Sequence, residues 1–190
     1  IMTTLFSLSN HVKCDVDVYL MNRSLSKNDI DKLKSYLKNK CNFNLFEINV
    51  ENNPLDNLPV YYHMSIETYY RLLAQFLLPK NLDRVLWLDA DIIILKNIDD
   101  FYFQDFENKS LIACTDIKFE SERIKEIKEK VGIPIEHKYF NAGVILFNLE
   151  KLRKETTENE IVNICNYLQP KVILMDQDIL NYFYSFNVKY

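Results

Sequence analysis

Two glycines in 190 residues, Gly132 and Gly143, exclude a good deal. A phosphate-cradling G-x-x-x-x-G-K loop and a dinucleotide-binding G-x-G-x-x-G turn each need several glycines close together, so neither can be built here. Any phosphorylated ligand would have to be held by side chains and a metal. No run approaches the ~18 consecutive apolar residues of a membrane span. Residues 1–8 are apolar but lack the basic flank and small-residue cleavage site of a leader. The cysteines Cys14, Cys41, Cys114 and Cys165 form no C-x-x-C pair. Three fall in apolar stretches, which predicts reduced core thiols in a cytosolic protein rather than disulfides or zinc ligands. A formal net charge of −4 with both signs interspersed offers no nucleic-acid surface.

What is present is an alternation of strand-like and helix-like segments, which predicts one α/β domain without repeats or linkers. Val16, Val18 and Leu20 alternate as a strand. Ser26 caps the next helix, Leu25 can staple onto Ile30, and Ile30, Leu33 and Leu37 form its buried stripe. A strand over 43–50 and a loop punctuated by Pro54 and Pro59 follow, then a helix over 65–78 with Arg71 in its middle, stopped by Pro79. The remaining pattern reads as strand 84–95, strand 111–114, charged surface helix 120–131, strand 140–149, helix 150–168, strand 172–174, and a helix containing Leu180 and Phe183. Residues 1–8 read as the end of a helix whose preceding strand is missing, and Tyr190 arrives without a closing element.

The most telling stretch is Arg84-Val85-Leu86-Trp87-Leu88-Asp89-Ala90-Asp91-Ile92-Ile93-Ile94-Leu95. Its apolar run predicts a strand buried on both faces, as in a central parallel strand. On extended backbone, Asp89 and Asp91 point to one side. Two neighbouring carboxylates repel unless a cation lies between them, so the pair predicts a hard divalent metal at the carboxyl end of the strand. The plain alternative is a turn with solvated aspartates. Arg71 on an apolar helix needs an anion, met by an internal salt bridge to an aspartate of the 84–95 strand, by phosphates, or by both. Asn141-Ala142-Gly143 places small and polar residues at the head of a hydrophobic strand, from close approach to a ligand or from a β-bulge. Asp176-Gln177-Asp178 exceeds what helix capping needs. Asp116 after the 111–114 strand is a weaker candidate. His11, His63 and His137 share no ligand spacing and read as surface or structural residues.

Four motifs in order carry a resemblance: Thr68-Tyr69-Tyr70-Arg71-Leu72, Val85-Leu86-Trp87-Leu88-Asp89-Ala90-Asp91, Tyr139-Phe140-Asn141-Ala142-Gly143-Val144, and Asp176-Gln177-Asp178. Together they resemble glycosyltransferase family 8, which contains bacterial lipopolysaccharide galactosyl- and glucosyltransferases and the glycogenins. The resemblance implies a GT-A fold, an α/β architecture with a Rossmann-like, mainly parallel sheet flanked by helices. It implies Mn²⁺, with Mg²⁺ the other candidate, on Asp89 and Asp91, and a UDP-sugar donor contacted by Arg71, Asp89, Ala90, Asn141, Ala142, Asp176 and Gln177. Gln177 would lie near the reacting anomeric carbon, Asp176 on a donor hydroxyl, and Asp116 near donor sugar and acceptor. The implied reaction moves a hexose with retained configuration to a cell-surface glycan or glycolipid such as lipopolysaccharide. The implied location is the cytoplasm, at the inner face of a membrane touched through a segment absent here. The family's first strand and its late metal-binding histidine have no counterpart in these 190 residues, so the expected unit is one catalytic domain lacking both ends.

Two other readings stay open. A strand followed by D-x-D also opens the haloacid-dehalogenase phosphatases, but Ile92 and Ile93 stand where those enzymes carry a small residue and threonine. A truncated or inactive sugar-nucleotide-binding domain is the non-enzymatic alternative.

Overall fold

The computed structural model describes every residue except Asn42, Tyr62, His63, Met64 and Phe119, so the reading of His63 lies outside the described residues. The elements run α1 (Met2–Ser9), β1 (Asp17–Asn22), α2 (Lys27–Lys40), β2 (Asn44–Asn49), a 3-10 segment (Ile66–Leu73), α3 (Ala74–Leu77), β3 (Arg84–Leu88) and α4 (Asp99–Tyr102). They continue with β4 (Leu111–Thr115), α5 (Glu122–Val131), β5 (Phe140–Asn148), α6 (Leu149–Glu155), α7 (Glu158–Leu168), α8 (Asp176–Phe183) and β6 (Val188–Lys189). The chain divides into two compact units: Ile1–Glu51 with Leu88–Asp105, and Asn52–Trp87 with Phe106–Tyr190.

In the first unit, Ser26 caps α2 as the sequence predicts, its hydroxyl accepting from the Asp29 N–H at 3.2 Å. Ile30, Leu33 and Leu37 are buried on its inner face. Leu33 and Leu37 join Leu5 and Leu8 of α1, Cys41 and Phe43 in the core, and Val18, Leu20 and Leu45 cover it from the parallel β1–β2 pair.

The strand expected over 84–95 stops at Leu88, and its residues are half-buried rather than enclosed on both faces. Asp89 to Leu95 form a turn and an irregular segment, with Ile93 and Leu95 exposed. The reason lies in the backbone partners. The Thr4 hydroxyl donates to the Ala90 carbonyl at 2.8 Å, and the Ile94 N–H donates to the Ser7 hydroxyl at 2.9 Å. Side chains of α1 thus occupy groups that a neighbouring strand would otherwise need.

The second unit is built on a four-stranded sheet of order β3-β5-β4-β6, with β4 antiparallel to β5 and parallel to β6. The helix expected over 65–78 is instead a 3-10 segment followed by one turn of α-helix. Thr68 through Leu73 are all buried, so the segment has no solvent face to spare. Its polar groups are fixed from outside: Thr68 to Asp176, and the Tyr69 hydroxyl to the Pro59 carbonyl at 2.9 Å. Such tertiary anchors override local α preference.

Three further differences have local causes. The helix expected over 150–168 breaks into α6 and α7 because Thr157 and Glu160 make a capping box that starts a new helix. The strand expected at 172–174 does not form, since the N–H groups of Ile173 and Leu174 go to the Asp178 carboxylate. Of the four cysteines, all free, Cys41 and Cys165 are buried while Cys14 and Cys114 are exposed, so only two are core thiols. Burial pushes the Cys165 thiol up to about 12. Among the described residues no helix is long and apolar enough to cross a membrane.

Replacing Thr157 by Ala removes the cap that separates α6 from α7. The urea midpoint should fall by the equivalent of about 1 kcal/mol with an unchanged m-value.

Candidate functional site

Asp89 and Asp91 flank Ala90 directly after β3, Asp89 half-buried and Asp91 exposed. The turn is held by the bond from Thr4 to the Ala90 carbonyl. The arrangement is the turn with solvent-reaching aspartates that the sequence offers as the plain alternative. Two hard oxygen donors on one short turn suit a divalent cation that draws its other ligands from phosphate oxygens and water. Among the described residues no group of three or more His, Cys, Asp or Glu converges on one point.

In the second unit the sheet is deliberately irregular. Ala113 pairs with Ile145 and Thr115 with Phe140, so residue 114 of β4 stands against residues 141–144 of β5. The β-bulge anticipated at Asn141-Ala142-Gly143 is therefore real, and it has a directed effect. It turns both peptide groups of Ala142 away from the ladder: its N–H donates to Gln177 Oε1 at 3.0 Å, and its carbonyl accepts from Arg71 Nη1. Asn141 is exposed, its Oδ1 taking the Gly143 N–H at 2.8 Å.

Arg71 Nε lies 2.9 Å from Asp176 Oδ2, and both side chains are almost wholly buried. Asp176 Oδ1 accepts from the Thr68 hydroxyl at 2.6 Å. The guanidinium also donates to the Thr68 carbonyl at 3.2 Å and stands 5.1 Å from the Trp87 ring centroid. Arg71 does make an internal salt bridge, and the partner in this unit is Asp176 at the start of α8, which the sequence reading did not name for that role. The guanidinium is thus fixed by a carboxylate, two carbonyls and an aromatic face.

Gln177 is oriented by chemistry. Its carbonyl oxygen must face the Ala142 N–H, which sends Nε2 towards Asp116 Oδ2 at 3.4 Å. Asp116, half-buried, is itself held by its N–H to the Tyr139 carbonyl and by Oδ1 accepting from the Lys118 N–H. Arg71, Asp176, Ala142, Gln177 and Asp116 therefore form one hydrogen-bonded chain, and Asn141 adjoins it.

Sequence reasoning missed the residue that ties this chain to the sheet. Asn181, fully buried, donates to the carbonyls of Phe140 and Gln177 at 2.9 Å each and accepts from the Phe140 N–H at 2.8 Å. Its signal was available, because it lies four residues after Gln177 and so shares a helix face with it. His137 donates Nε2–H to Asn181 Oδ1 at 2.9 Å, a structural role as foreseen. Burial outweighs that bond and holds the imidazole below its ordinary range, with nearby Lys128 adding to the shift. A neutral imidazole favoured by folding stabilises above its unfolded pKa of about 6.5, and that contribution is lost as pH falls from there towards the lower folded value. Thermal stability should therefore drop between pH 7.5 and 5.5, and His137→Gln should flatten the drop.

Comparison with known proteins adds the lineage. The model for Glycosyl transferase family 8 matches residues 1–190. A lipopolysaccharide 1,2-glucosyltransferase of Escherichia coli is 25% identical over 142 residues, covering 74% of this chain and 41% of that protein. Glycosyltransferase GlyF of Streptococcus pneumoniae is 25% identical over 185 residues, covering 97% and 42%. Among solved structures, the galactosyltransferase LgtC in complex with donor and acceptor sugar analogues superposes with a TM-score of 0.83 at 26% identity, covering 100% of this chain and 69% of that one. GlyE of Streptococcus pneumoniae, at 23% identity and a TM-score of 0.69, shares the fold. The chain spans about half, or less, of the length of the curated relatives it matches. The architecture is the α/β GT-A fold of these neighbours, and the chain belongs to glycosyl transferase family 8.

Proposed function

We propose that this chain is the donor-handling part of a metal-dependent, retaining hexosyltransferase. It would move galactose or glucose from a UDP-sugar to a cell-surface glycan acceptor such as lipopolysaccharide. The observation that carries the reading is the buried Arg71–Asp176 pair joined through the out-turned Ala142 peptide to Gln177. Such a preset polar chain has no evident structural need, whereas a sugar diphosphate needs a fixed cation beside fixed hydrogen-bonding groups. We take the 190 residues as a single catalytic domain working from the cytoplasmic side, with any membrane contact made by other sequence.

In this account Asp89 and Asp91 would hold Mn²⁺ or Mg²⁺, which when bound would supply charge neutralisation for the departing nucleoside diphosphate. Asp89 and Ala90 also meet the donor. Arg71 takes donor sugar and phosphate oxygens, and Asp176 fixes its guanidinium and binds a sugar hydroxyl. Asn141 and Ala142 line the sugar pocket, and Asp116 orients Gln177 beside donor and acceptor. Gln177 Oε1 accepts one bond from Ala142 and keeps capacity for a second contact. An amide is a poor nucleophile, so this oxygen acts as an electrostatic partner for an oxocarbenium-like sugar. The acceptor hydroxyl attacks on the face the diphosphate leaves, which retains configuration.

Calorimetric titration of UDP into the chain, with Mn²⁺ and then with EDTA, tests the donor reading. Binding should require the metal and should disappear in Asp89→Ala/Asp91→Ala. UDP binding that survives both treatments, or no binding to folded protein, would overturn it. Bound UDP without hydrolysis or transfer from UDP-galactose or UDP-glucose would instead identify a binding domain without turnover.

A further inference from the structure

Tyr139 and Asp178 stand in the motifs yet have no part in the donor chemistry above. We propose that Asp178 is a positioning residue: its buried carboxylate locks the turn at residues 173–175 and so sets how Asp176 and Gln177 meet the donor sugar. The functional half of this inference rests on the donor reading given above.

Asp178 is fully buried, and both its oxygens are engaged. Oδ2 accepts from the Ile173 N–H at 2.6 Å and the Leu174 N–H at 2.7 Å, while Oδ1 accepts from the Tyr139 hydroxyl. No ion pair to Asp178 forms among the described residues; three donors hold the carboxylate in place of a cation. Burial raises its pKa, and the three hydrogen bonds oppose that rise. A capping role does not describe this geometry. An N-cap side chain binds N–H groups further along its own helix, whereas Asp178 sits inside α8 and reaches back to N–H groups that precede it.

The segment it grips is strained. Met175 has φ 50° and ψ −120°, a conformation suited to glycine, and it directly precedes Asp176, the first residue of α8. Such a residue persists only where its surroundings over-determine it. Here the turn is pinned on both sides: upstream by Asp178 on Ile173 and Leu174, downstream by Thr68 and Arg71 on Asp176. Releasing the upstream pin lets Met175 relax to negative φ, which swings the start of α8. Asp176 and Gln177 then leave the geometry in which they meet Arg71 and Ala142. The same facts exclude a nucleophilic role, because neither carboxylate oxygen of Asp178 is exposed or free.

The test uses Asp178→Asn, which keeps size but loses one acceptor oxygen, and Tyr139→Phe, which removes one donor and serves if the first variant folds poorly. Amide exchange at Ile173 and Leu174 should accelerate more than about tenfold in Asp178→Asn, with unchanged far-UV circular dichroism. UDP should still bind in a Mn²⁺-dependent way, because Asp89 and Asp91 are untouched. Turnover of UDP-galactose or UDP-glucose should fall more than about tenfold, in kcat rather than KM, with Tyr139→Phe showing a smaller fall of the same kind. Unchanged exchange, or UDP affinity and turnover falling together with the folded fraction, would overturn the proposal. So would a glycosylated Asp178 found by mass spectrometry. A wild type that binds no UDP overturns the donor reading and the functional half of this inference with it, while the exchange result still judges the turn.

Discussion

The second unit is organised around one buried ion pair, Arg71 with Asp176. Neither charge can be left alone in that interior, so each dictates its surroundings. Asp176 draws the Thr68 hydroxyl, which commits residues 66–73 to a tight 3-10 path rather than a regular helix. Arg71 draws the Ala142 carbonyl, which is available only because β5 bulges against β4. The bulge then presents the Ala142 N–H to Gln177, and Gln177 in turn faces Asp116. The 3-10 path and the β5 bulge thus both answer polar demands set by that pair. A core chosen for stability alone would have used apolar residues at these positions, because buried pairs seldom repay their desolvation.

The elements with one clear period were legible. The stripe of α2, its Ser26 cap, the strand character of β5 and the helix ending at Gly132 follow from residues on the page, the last closing in the left-handed region at φ 90°. Segments governed by distant partners were not legible. The tail of the 84–95 run is apolar enough for a strand, yet its backbone is claimed by Thr4 and Ser7. Residues 172–174 have β-favouring side chains, yet their N–H groups belong to Asp178. The Thr157-x-x-Glu160 box is a local signal that divides an otherwise continuous helical pattern.

For the candidate site, residue identity was easier to read than arrangement. Arg71, Asn141, Ala142, Asp176, Gln177 and Asp116 were singled out from the sequence, and all lie in one unit along or beside one hydrogen-bonded chain. Their supports, Thr68, Tyr139, Asp178 and Asn181, stood in or beside the same motifs without an assigned role. A buried hydroxyl or amide gives little sign in sequence of which partner it will find. Membership of glycosyl transferase family 8 removes the ground for the phosphatase alternative, whose own sequence context was already missing at Ile92 and Ile93.

The central claim is that the Arg71–Asp176 pair organises this site without being needed for the stability of the fold. A double-mutant cycle on unfolding free energy, with Arg71→Met and Asp176→Leu, measures it directly. Each single variant should lose about 3–5 kcal/mol by stranding the opposite charge, and the double variant should recover most of that loss. Additive losses across the cycle would contradict the account, because they would mean the two charges are not each other's essential partner.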